Sequence, residues 1–425
     1  MEKIYFETYG CSLNLADTET MQGILVKDKF QITKDINNAD LIIINTCTVK
    51  SPTDSAFLKK IKELPKKPTI IAGCIPQSQP TLKALEGYSL IGTYQLAHIS
   101  EVVEETLQGN TVVLIAESSE EKENPRLALP RINHKNIIEI IPINSGCLGH
   151  CTYCLTKKAR GELLSYHPDL IIKRVIQASK KNVKEIWLTS QDTGAYGLDI
   201  KTNLPRLLKD LIKIPGTHRI RLGMANPDHI KKYLPELIEI FNSPKMFKFI
   251  HIPVQSGNNE VLKKMGRKYK IEDFKHIIQE FKKAHPNITL ATDIICGFPG
   301  ETDIQFQDSI KLVEELKPDV LNISKFWKRP NTPAAKLKQT HGIKIKERSG
   351  KLTRTFHWNA FQNNKKWKDW KGNIIIDEKG KNNTSIGRNQ HYKQIIVDGN
   401  YQLGQEVKIK IIKTTIHDLR AIEIR

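Results

Sequence analysis

The stretch Ile137-Ile-Glu-Ile-Ile-Pro-Ile143, Asn144-Ser-Gly146, Cys147-Leu-Gly-His-Cys151-Thr-Tyr-Cys154 decides how the rest of the chain is read. Its opening aliphatic run has the length of a buried strand and is too short for most helices. The run breaks at turn formers and is followed by three cysteines in C-x3-C-x2-C spacing. One short loop with that spacing can wrap a compact inorganic core. Three thiolates can each bind one iron of a [4Fe–4S] cluster, leaving the fourth iron without a protein ligand. An open coordination position is what a catalytic metal site requires. Gly146 and Gly149 let the backbone fold tightly around such a core. Zinc is the competing metal, with His150 as the fourth ligand. His150 is adjacent to Cys151, whereas structural zinc pairs leave about two to four residues between ligands.

Working outward, three more cysteines fall in equivalent places. Cys11 lies in Tyr9-Gly-Cys11-Ser-Leu-Asn14, Cys47 in Ile44-Asn-Thr-Cys47-Thr-Val49, and Cys74 in Ala72-Gly-Cys74-Ile-Pro76. Each follows a short apolar run bounded by turn formers, the pattern of a buried parallel strand. Any one of them alone reads as a small buried hydrophobe. Three at the carboxyl ends of neighbouring parallel strands would converge in one crevice, where open α/β sheets bind ligands, and would hold a second three-thiolate cluster. The seventh cysteine, Cys296 in Ile294-Ile-Cys296-Gly297, reads as core. An odd number of cysteines in a chain of 425 residues does not suggest a disulfide framework.

Residues 1–115 alternate apolar strands with helical stretches around Asp17–Leu25 and Ser55–Leu64, an open α/β sheet. Residues 116–131 read as a linker, with Ser118–Asn124 polar and Pro125 and Pro130 beyond. Residues 132–365 alternate again. Strands are expected at Ile137–Ile143, Glu185–Thr189, His218–Leu222, Lys248–Pro253, Ile288–Ile295 and Asp319–Phe326, then a basic helix within Lys336–Trp370. Residues 366–425 change to short strands, at Asn373–Asp377, Lys393–Val397, Val407–Ile412 and Arg420–Ile424. Apolar content of 39% and charged content of 26% exclude a membrane-embedded or a disordered chain. The aliphatic runs, such as Leu41–Ile44, are far shorter than the roughly 20 residues of a membrane span. The start Met1-Glu-Lys-Ile-Tyr-Phe reads as a first strand and has no signal-peptide apolar stretch, so the expected compartment is the cytosol.

The net charge is +20, with 66 Lys and Arg against 46 Asp and Glu. It is unevenly spread. Lys325 to Lys371 carries 14 basic residues and only two acids, Glu347 and Asp369. The same segment holds Trp327, Trp358, Trp367 and Trp370, four of the five tryptophans, with Phe326, Phe356 and Phe361 among them. Basic side chains attract a phosphate backbone and aromatic faces stack unpaired bases. The blander reading is a solvated basic surface with its aromatics turned into a core. The imbalance of the whole chain favours a polyanionic partner.

C-x3-C-x-aromatic-C, with Tyr153 as the aromatic, resembles the radical S-adenosylmethionine (SAM) signature. The Cys11, Cys47 and Cys74 arrangement resembles the N-terminal domain of the methylthiotransferases. The continuation Thr156-Lys-Lys-Ala-Arg160-Gly-Glu-Leu-Leu-Ser-Tyr166 looks like the archaeal and eukaryotic subgroup, whose members act on N6-threonylcarbamoyladenosine (t6A) at position 37 of tRNA. The resemblance spans essentially the whole chain. It implies an α/β multidomain fold: an N-terminal open parallel α/β sheet, a central partial (β/α)6 radical SAM barrel and a small C-terminal antiparallel β-barrel, the RNA-binding TRAM domain. Barrel active sites lie at the carboxyl ends of the strands.

The resemblance also implies two [4Fe–4S] clusters, on Cys147, Cys151 and Cys154 and on Cys11, Cys47 and Cys74. It implies SAM as both radical source and methyl donor, and a flavodoxin- or ferredoxin-like electron donor. SAM contacts are expected from Tyr153, Gln191, Gln255, Ser256, Asp293, Gly297 and Gly300. Arg160, whose guanidinium could pair with the SAM carboxylate or an anionic substrate group, is expected at the substrate with Asp192 and Arg329. Lys365, Lys366 and Lys368 are expected to touch the RNA. The implied reaction is methylthiolation of C2 of t6A. That aromatic C–H is not acidic, so a general base cannot remove its proton, and homolysis by a carbon radical avoids the limit. The alternatives are a methylthiotransferase acting on N6-isopentenyladenosine or on a ribosomal-protein side chain, and a non-catalytic iron–sulfur RNA-binding protein.

Overall fold

The computed structural model describes residues 1–48, 51–115, 125–133 and 136–424. Six strands open the chain: β1 (Lys3–Thr8), β2 (Gln31–Thr33), β3 (Leu41–Thr46), β4 (Thr69–Gly73), β5 (Ser89–Ile91) and β6 (Val113–Leu114). They form one parallel sheet in the order β2-β1-β3-β4-β5-β6. Every residue of β3 is buried. Side chains alternate across a strand, so Leu41 and Ile43 pack with Met21, Leu25, Ile99 and Val103 on one face. Ile42 and Ile44 pack with Phe57, Ile61 and Ile71 on the other. A continuous aliphatic run is what a strand covered on both faces needs, each such side chain contributing about 1.5–3 kcal/mol on burial.

The register sets the functional end of this sheet. Thr8 pairs with Asn45, and Thr46 with Gly73. The central strands β1, β3 and β4 therefore finish side by side. The chain leaves β1 into the helix Ser12–Lys27 and leaves β4 into the short helix Cys74–Ser78.

The central region has six parallel strands: β7 (Ile138–Pro142) and, after a two-residue ribbon of β8 (Asn144–Ser145) and β9 (Leu164–Ser165), β10 (Glu185–Thr189), β11 (Arg219–Leu222), β12 (Phe249–His251), β13 (Thr289–Cys296) and β14 (Val320–Lys325). β11-β10-β7 and β12-β13-β14 are each continuous. A single bridge, Ile220 to Met246, joins the two halves. Amphipathic helices such as Ile271–Ala284 and Asp303–Leu316 cover the outside and share one apolar core with the strands. Cys296 is buried in that core.

The barrel is open between β7 and β14, and the N-terminal sheet meets it there. Ala16 packs with Ile137, Ile138 and Ile140 of the β7 edge. Buried ion pairs of Arg126 with Asp17 and of Arg131 with Glu19 fasten the helix Ser12–Lys27 to the incoming chain. Of the expected linker, residues 116–124 lie outside the described residues. Residues 125–131 run against the first helix, so closely that a Cβ on Gly23 would stand 2.4 Å from Arg131 Cα.

β15 (Lys371–Lys379), β16 (Thr384–Arg388), β17 (Gln394–Asp398), β18 (Glu406–Thr414) and β19 (Leu419–Glu423) close a barrel in the order β15-β16-β17-β19-β18. Two points differ from expectation. Residues 384–388 are a strand, which the glycine at 387 had masked. The barrel is also not wholly antiparallel, because β17 and β19 pair in parallel. Trp367 is inside this barrel's core, with Trp370 packed against it.

The barrel docks on the amino ends of β10–β14, opposite the cysteine loop. Lys248 N–H donates to Gln390 O at 2.8 Å, Thr289 Oγ1 to His391 O at 2.6 Å, and Lys393 Nζ pairs with Asp319 at 2.6 Å. The Arg221 guanidinium lies about equally close to the rings of Trp187, Phe249 and Tyr392, at 5.2, 4.9 and 5.2 Å. Among the described residues no helix is long and apolar enough to cross a membrane.

Candidate metal and substrate site at the domain junction

Cys11 directly precedes the helix Ser12–Lys27, Cys47 follows β3, and Cys74 begins the short helix after β4. Asn14 holds them together. Its Nδ2 donates to Tyr9 O at 3.0 Å and Thr46 O at 2.6 Å, joining the two loops that carry Cys11 and Cys47. Its Oδ1 lies 3.9 Å from Cys11 Sγ and 3.8 Å from Cys74 Sγ. Cys47 packs on Gly10, whose φ is +116°, and a Cβ there would fall 2.5 Å from Cys47 Cβ. Only glycine tolerates both the conformation and the approach. Two of the thiols thus approach one oxygen, and the third packs on the glycine that precedes Cys11.

The second cysteine set lies at the other side of the junction, on the loop that follows β8. A Cβ on Gly149 would lie 3.3 Å from Cys147 Sγ and 3.6 Å from Cys151 Sγ, so both sulfurs face the space over that glycine. Each thiol also meets an N–H donor. Gly149 N–H donates to Cys147 at 3.2 Å, Arg267 Nη1 to Cys151 at 3.1 Å, and Thr156 N–H to Cys154 at 3.3 Å. Donors aimed at sulfur suit thiolates in an iron–sulfur site. His150 is exposed, and its ring meets Lys157 Nζ at 3.4 Å, which is no support for a zinc ligand. Burial first, and then the charge of Asp192, pushes the Cys147 thiol up to about 12. Burial likewise raises Cys154 and Cys74. A thiol that ligates a metal sheds its proton, because the ligand is the thiolate.

The junction is tight. Ser12 Oγ and Thr189 Oγ1 are 2.7 Å apart, and Thr93 Oγ1 donates to Ala159 O at 2.6 Å. The short helix Thr156–Arg160, which leaves the Cys147–Cys154 loop, reaches the thiol of Cys74 through Arg160. Beyond β14, buried Arg329 is close enough to Cys47 to feel its charge, though burial dominates and lowers its pKa. A few residues on, Ala334 N–H donates to Thr152 O at 2.9 Å. The segment beyond β14 thus touches the Cys147–Cys154 loop.

The expected site residues sort into two groups. Tyr153 packs edge-on against Phe298, with ring centroids 6.4 Å apart. Gln191 presents a buried Oε1 without a partner, as do Asn144 Oδ1 and Ser145 Oγ just before the cysteine loop. Gln255 has a left-handed backbone, φ +70°, clamped between Asp293 O and Ile295 N–H. Asp293 Oδ2 bonds His251 Nε2 from the neighbouring strand, a pair that keeps partial exposure. Gly300 is an exposed turn with φ +78°. Lys365, Lys366 and Lys368 are exposed.

Four of the expected site residues are engaged by protein groups. Asp192 is fully buried and its carboxylate is saturated, accepting from Gly194 N–H, Asn226 N–H, Asn226 Nδ2 and His229 Nδ1 at 2.6–3.0 Å. It braces the loops beyond β10 and β11 and has no capacity left for substrate. Ser256 is fully buried and accepts at 3.3 Å from the N–H of Asn258, the residue whose side chain caps the helix Asn259–Lys264. Gly297, at φ +80°, lies against Ile345 of the helix Gly342–Lys365, which would stand 2.5 Å from an added Cβ. Arg160 is 1% exposed and faces the N-terminal cysteines, not the barrel mouth. Three contributors were passed over. Asn14 and Asp17 follow Cys11 at helical spacing on one face. Arg267, on the loop beyond the helix Asn259–Lys264, is the donor to Cys151.

With this geometry in place, family comparisons are informative. The chain matches the Radical SAM superfamily over residues 141–313, Uncharacterized protein family UPF0004 over 3–90, and the TRAM domain over 372–422. Among solved structures it is similar in fold to the radical S-adenosylmethionine methyltransferase TsrM from Kitasatospora setae, at a TM-score of 0.57 and 13% identity over 79% of this chain and 75% of that one. It is also similar to the cobalamin-dependent S-adenosylmethionine radical enzyme OxsB, at a TM-score of 0.54 and 14% identity over 83% and 56%. It is 43% identical to the threonylcarbamoyladenosine tRNA methylthiotransferase of Homo sapiens, over 99% of this chain and 74% of that protein. It is 40% identical to the probable threonylcarbamoyladenosine tRNA methylthiotransferase of Pyrococcus abyssi (strain GE5 / Orsay), over 93% and 94%. Identity at that level along nearly the whole length, with all three domains matched in order, means that the chain belongs to the threonylcarbamoyladenosine tRNA methylthiotransferase family.

Proposed function

We propose that this chain is a radical SAM transferase that places a methylthio group on C2 of N6-threonylcarbamoyladenosine at position 37 of tRNA. The observation that carries the reading is the pair of three-cysteine groups at one domain junction, linked by Arg160, which ends the helix leaving the second group and donates to Cys74 of the first. Cys147, Cys151 and Cys154 would hold a [4Fe–4S] cluster, and Cys11, Cys47 and Cys74 a second. Together with SAM these groups would supply one-electron cleavage chemistry and the transferred methyl, with the sulfur, from a source the sequence leaves open, presented at the second cluster. Gln191 and the His251–Asp293 pair offer polar contacts to SAM inside the barrel, with Tyr153, Gln255 and Gly300 shaping the wall. Arg267 and the Gly149 and Thr156 amides orient the barrel thiolates.

The RNA is held from outside. Lys365, Lys366 and Lys368 are exposed at the end of a basic helix and can meet phosphates. Position 37 belongs to the anticodon loop, so its base is not locked in a duplex and extrusion costs no more than a few kcal/mol. A flavodoxin- or ferredoxin-like protein would deliver single electrons. Seven cysteines outside any disulfide suit a reducing compartment, the cytosol.

Separate removal of each cysteine set tests the reading in reconstituted protein. Cys147→Ala is expected to abolish 5′-deoxyadenosine release. Cys47→Ala is expected to keep SAM cleavage and to stop methylthiolation of t6A-containing tRNA, scored by nucleoside mass spectrometry. Methylthiolated product from Cys47→Ala would falsify the assignment of the N-terminal set.

A further inference from the structure

Arg160 is among the most deeply buried large side chains of the protein. Its Nε donates to Cys74 Sγ at 3.4 Å. Its Nη2 donates to Asn14 Oδ1 at 2.8 Å and pairs with Asp17 Oδ2 at 2.7 Å. Its Nη1 is buried without a hydrogen-bond partner. The same Asn14 oxygen is the one both Cys11 and Cys74 approach. A single guanidinium therefore touches one candidate ligand directly and a second through one shared oxygen.

The charges sharpen the point. Asp17 divides its one negative charge between Arg160 and Arg126, whose Nη1 lies 2.5 Å from the other carboxylate oxygen. Arg160 is thus only partly neutralised by its carboxylate and keeps a donor to spare. Burying a cation in that condition is costly unless something anionic completes the site. An iron–sulfur core with three thiolate ligands is anionic, and positive charge and N–H bonds at its sulfurs are among the factors that set its potential. Arg160 also ends the short helix that leaves the Cys147–Cys154 loop, so it joins the two cysteine sets mechanically.

We propose that Arg160 is a positioning and charge-compensating residue for the cluster on Cys11, Cys47 and Cys74, and that it raises that cluster's reduction potential by donating to Cys74 Sγ. The inference rests on the reading that these three cysteines hold a cluster. The test uses the full chain with Cys147, Cys151 and Cys154 all replaced by Ala, so that iron content and electron paramagnetic resonance report on the N-terminal cluster alone. Arg160→Met is expected to shift the midpoint of its redox titration to more negative potential. Arg160→Lys, which keeps the charge but not the fork, is expected to fall between Arg160→Met and the parent. Loss of iron from Arg160→Met with retention in Arg160→Lys also supports charge compensation. An unchanged midpoint in fully loaded Arg160→Met overturns the proposal. Equal loss of iron from both variants also overturns it, leaving Arg160 a packing residue. If the parent with the three alanines binds no iron, the N-terminal cluster itself is refuted and the proposal falls with it.

Discussion

Asp192 and Gln191 are neighbours in sequence with opposite fates. Asp192 has four donors on its carboxylate, including His229, whose pKa the Asp192 bond and charge raise against the lowering effect of burial. Gln191 Oε1 is buried with none. Removing one member of a buried, hydrogen-bonded charge network costs about 3–5 kcal/mol. Asp192→Ala is therefore expected to lower the unfolding free energy by that amount in denaturant titration. Gln191→Ala is expected to stay within about 0.5 kcal/mol of the parent while raising the KM for SAM. Equal stability loss in the two variants would show that the contrast is not real. The cysteines themselves were legible, because their spacing is a chemical constraint. The partition between Gln191 and Asp192 was not, because it depends on donors from Asn226 and His229 brought in by a different strand.

The helix Gly342–Lys365 shows how one element serves two surfaces. Its inner side carries Arg348, Leu352, Asn359, Ala360 and Asn364. Arg348 bonds Glu301 and Asp303, Asn359 donates to Val313 O at 2.9 Å, and Asn364 to Thr415 O at 3.0 Å. The helix thereby straps the radical SAM barrel to the C-terminal one. Its outer side leaves Trp358 66% exposed, and Trp327 beyond β14 is 55% exposed, whereas Trp367 and Phe326 are buried. The aromatic cluster noted in the sequence is thus split between core and surface. Replacing Lys365, Lys366 and Lys368 together by Ala is expected to weaken tRNA binding. It should also reduce the slope of log affinity against log salt by about 2 to 3, as loss of up to three phosphate contacts requires. Filter binding over a salt series measures both. Unchanged affinity and slope would remove this helix end from the RNA footprint.

At the scale of the whole molecule, the two ends of the central barrel do different work. The carboxyl ends of its strands face the N-terminal cysteines, and the amino ends rest on the C-terminal barrel. Glu185, the first residue of β10, is fully buried in that second interface. Burial and the nearby Asp377 raise its carboxyl to about 7, against the opposing effects of the Trp187 indole N–H, Arg388 and Arg221. An acid whose pKa rises on folding binds its proton more tightly in the folded chain. Its contribution to stability therefore falls as pH climbs from about 4.5 towards 7 and stays low above that. Glu185→Gln is expected to raise the thermal midpoint at pH 8 and to leave it nearly unchanged at pH 5. A gain of equal size at both values would exclude titration of Glu185 as the cause.

Sequence alone determined the chemistry and the order of the parts. Thiol spacing, strand length and charge are local properties, and local properties survive in a linear string. Tertiary structure decided where those parts point. It set Arg160 against the thiol of Cys74, placed Ile345 beside Gly297, and paired β17 with β19 in parallel. Each of these is a contact between segments far apart in the chain, set by how the sheets pack, and no pattern within either segment encodes it.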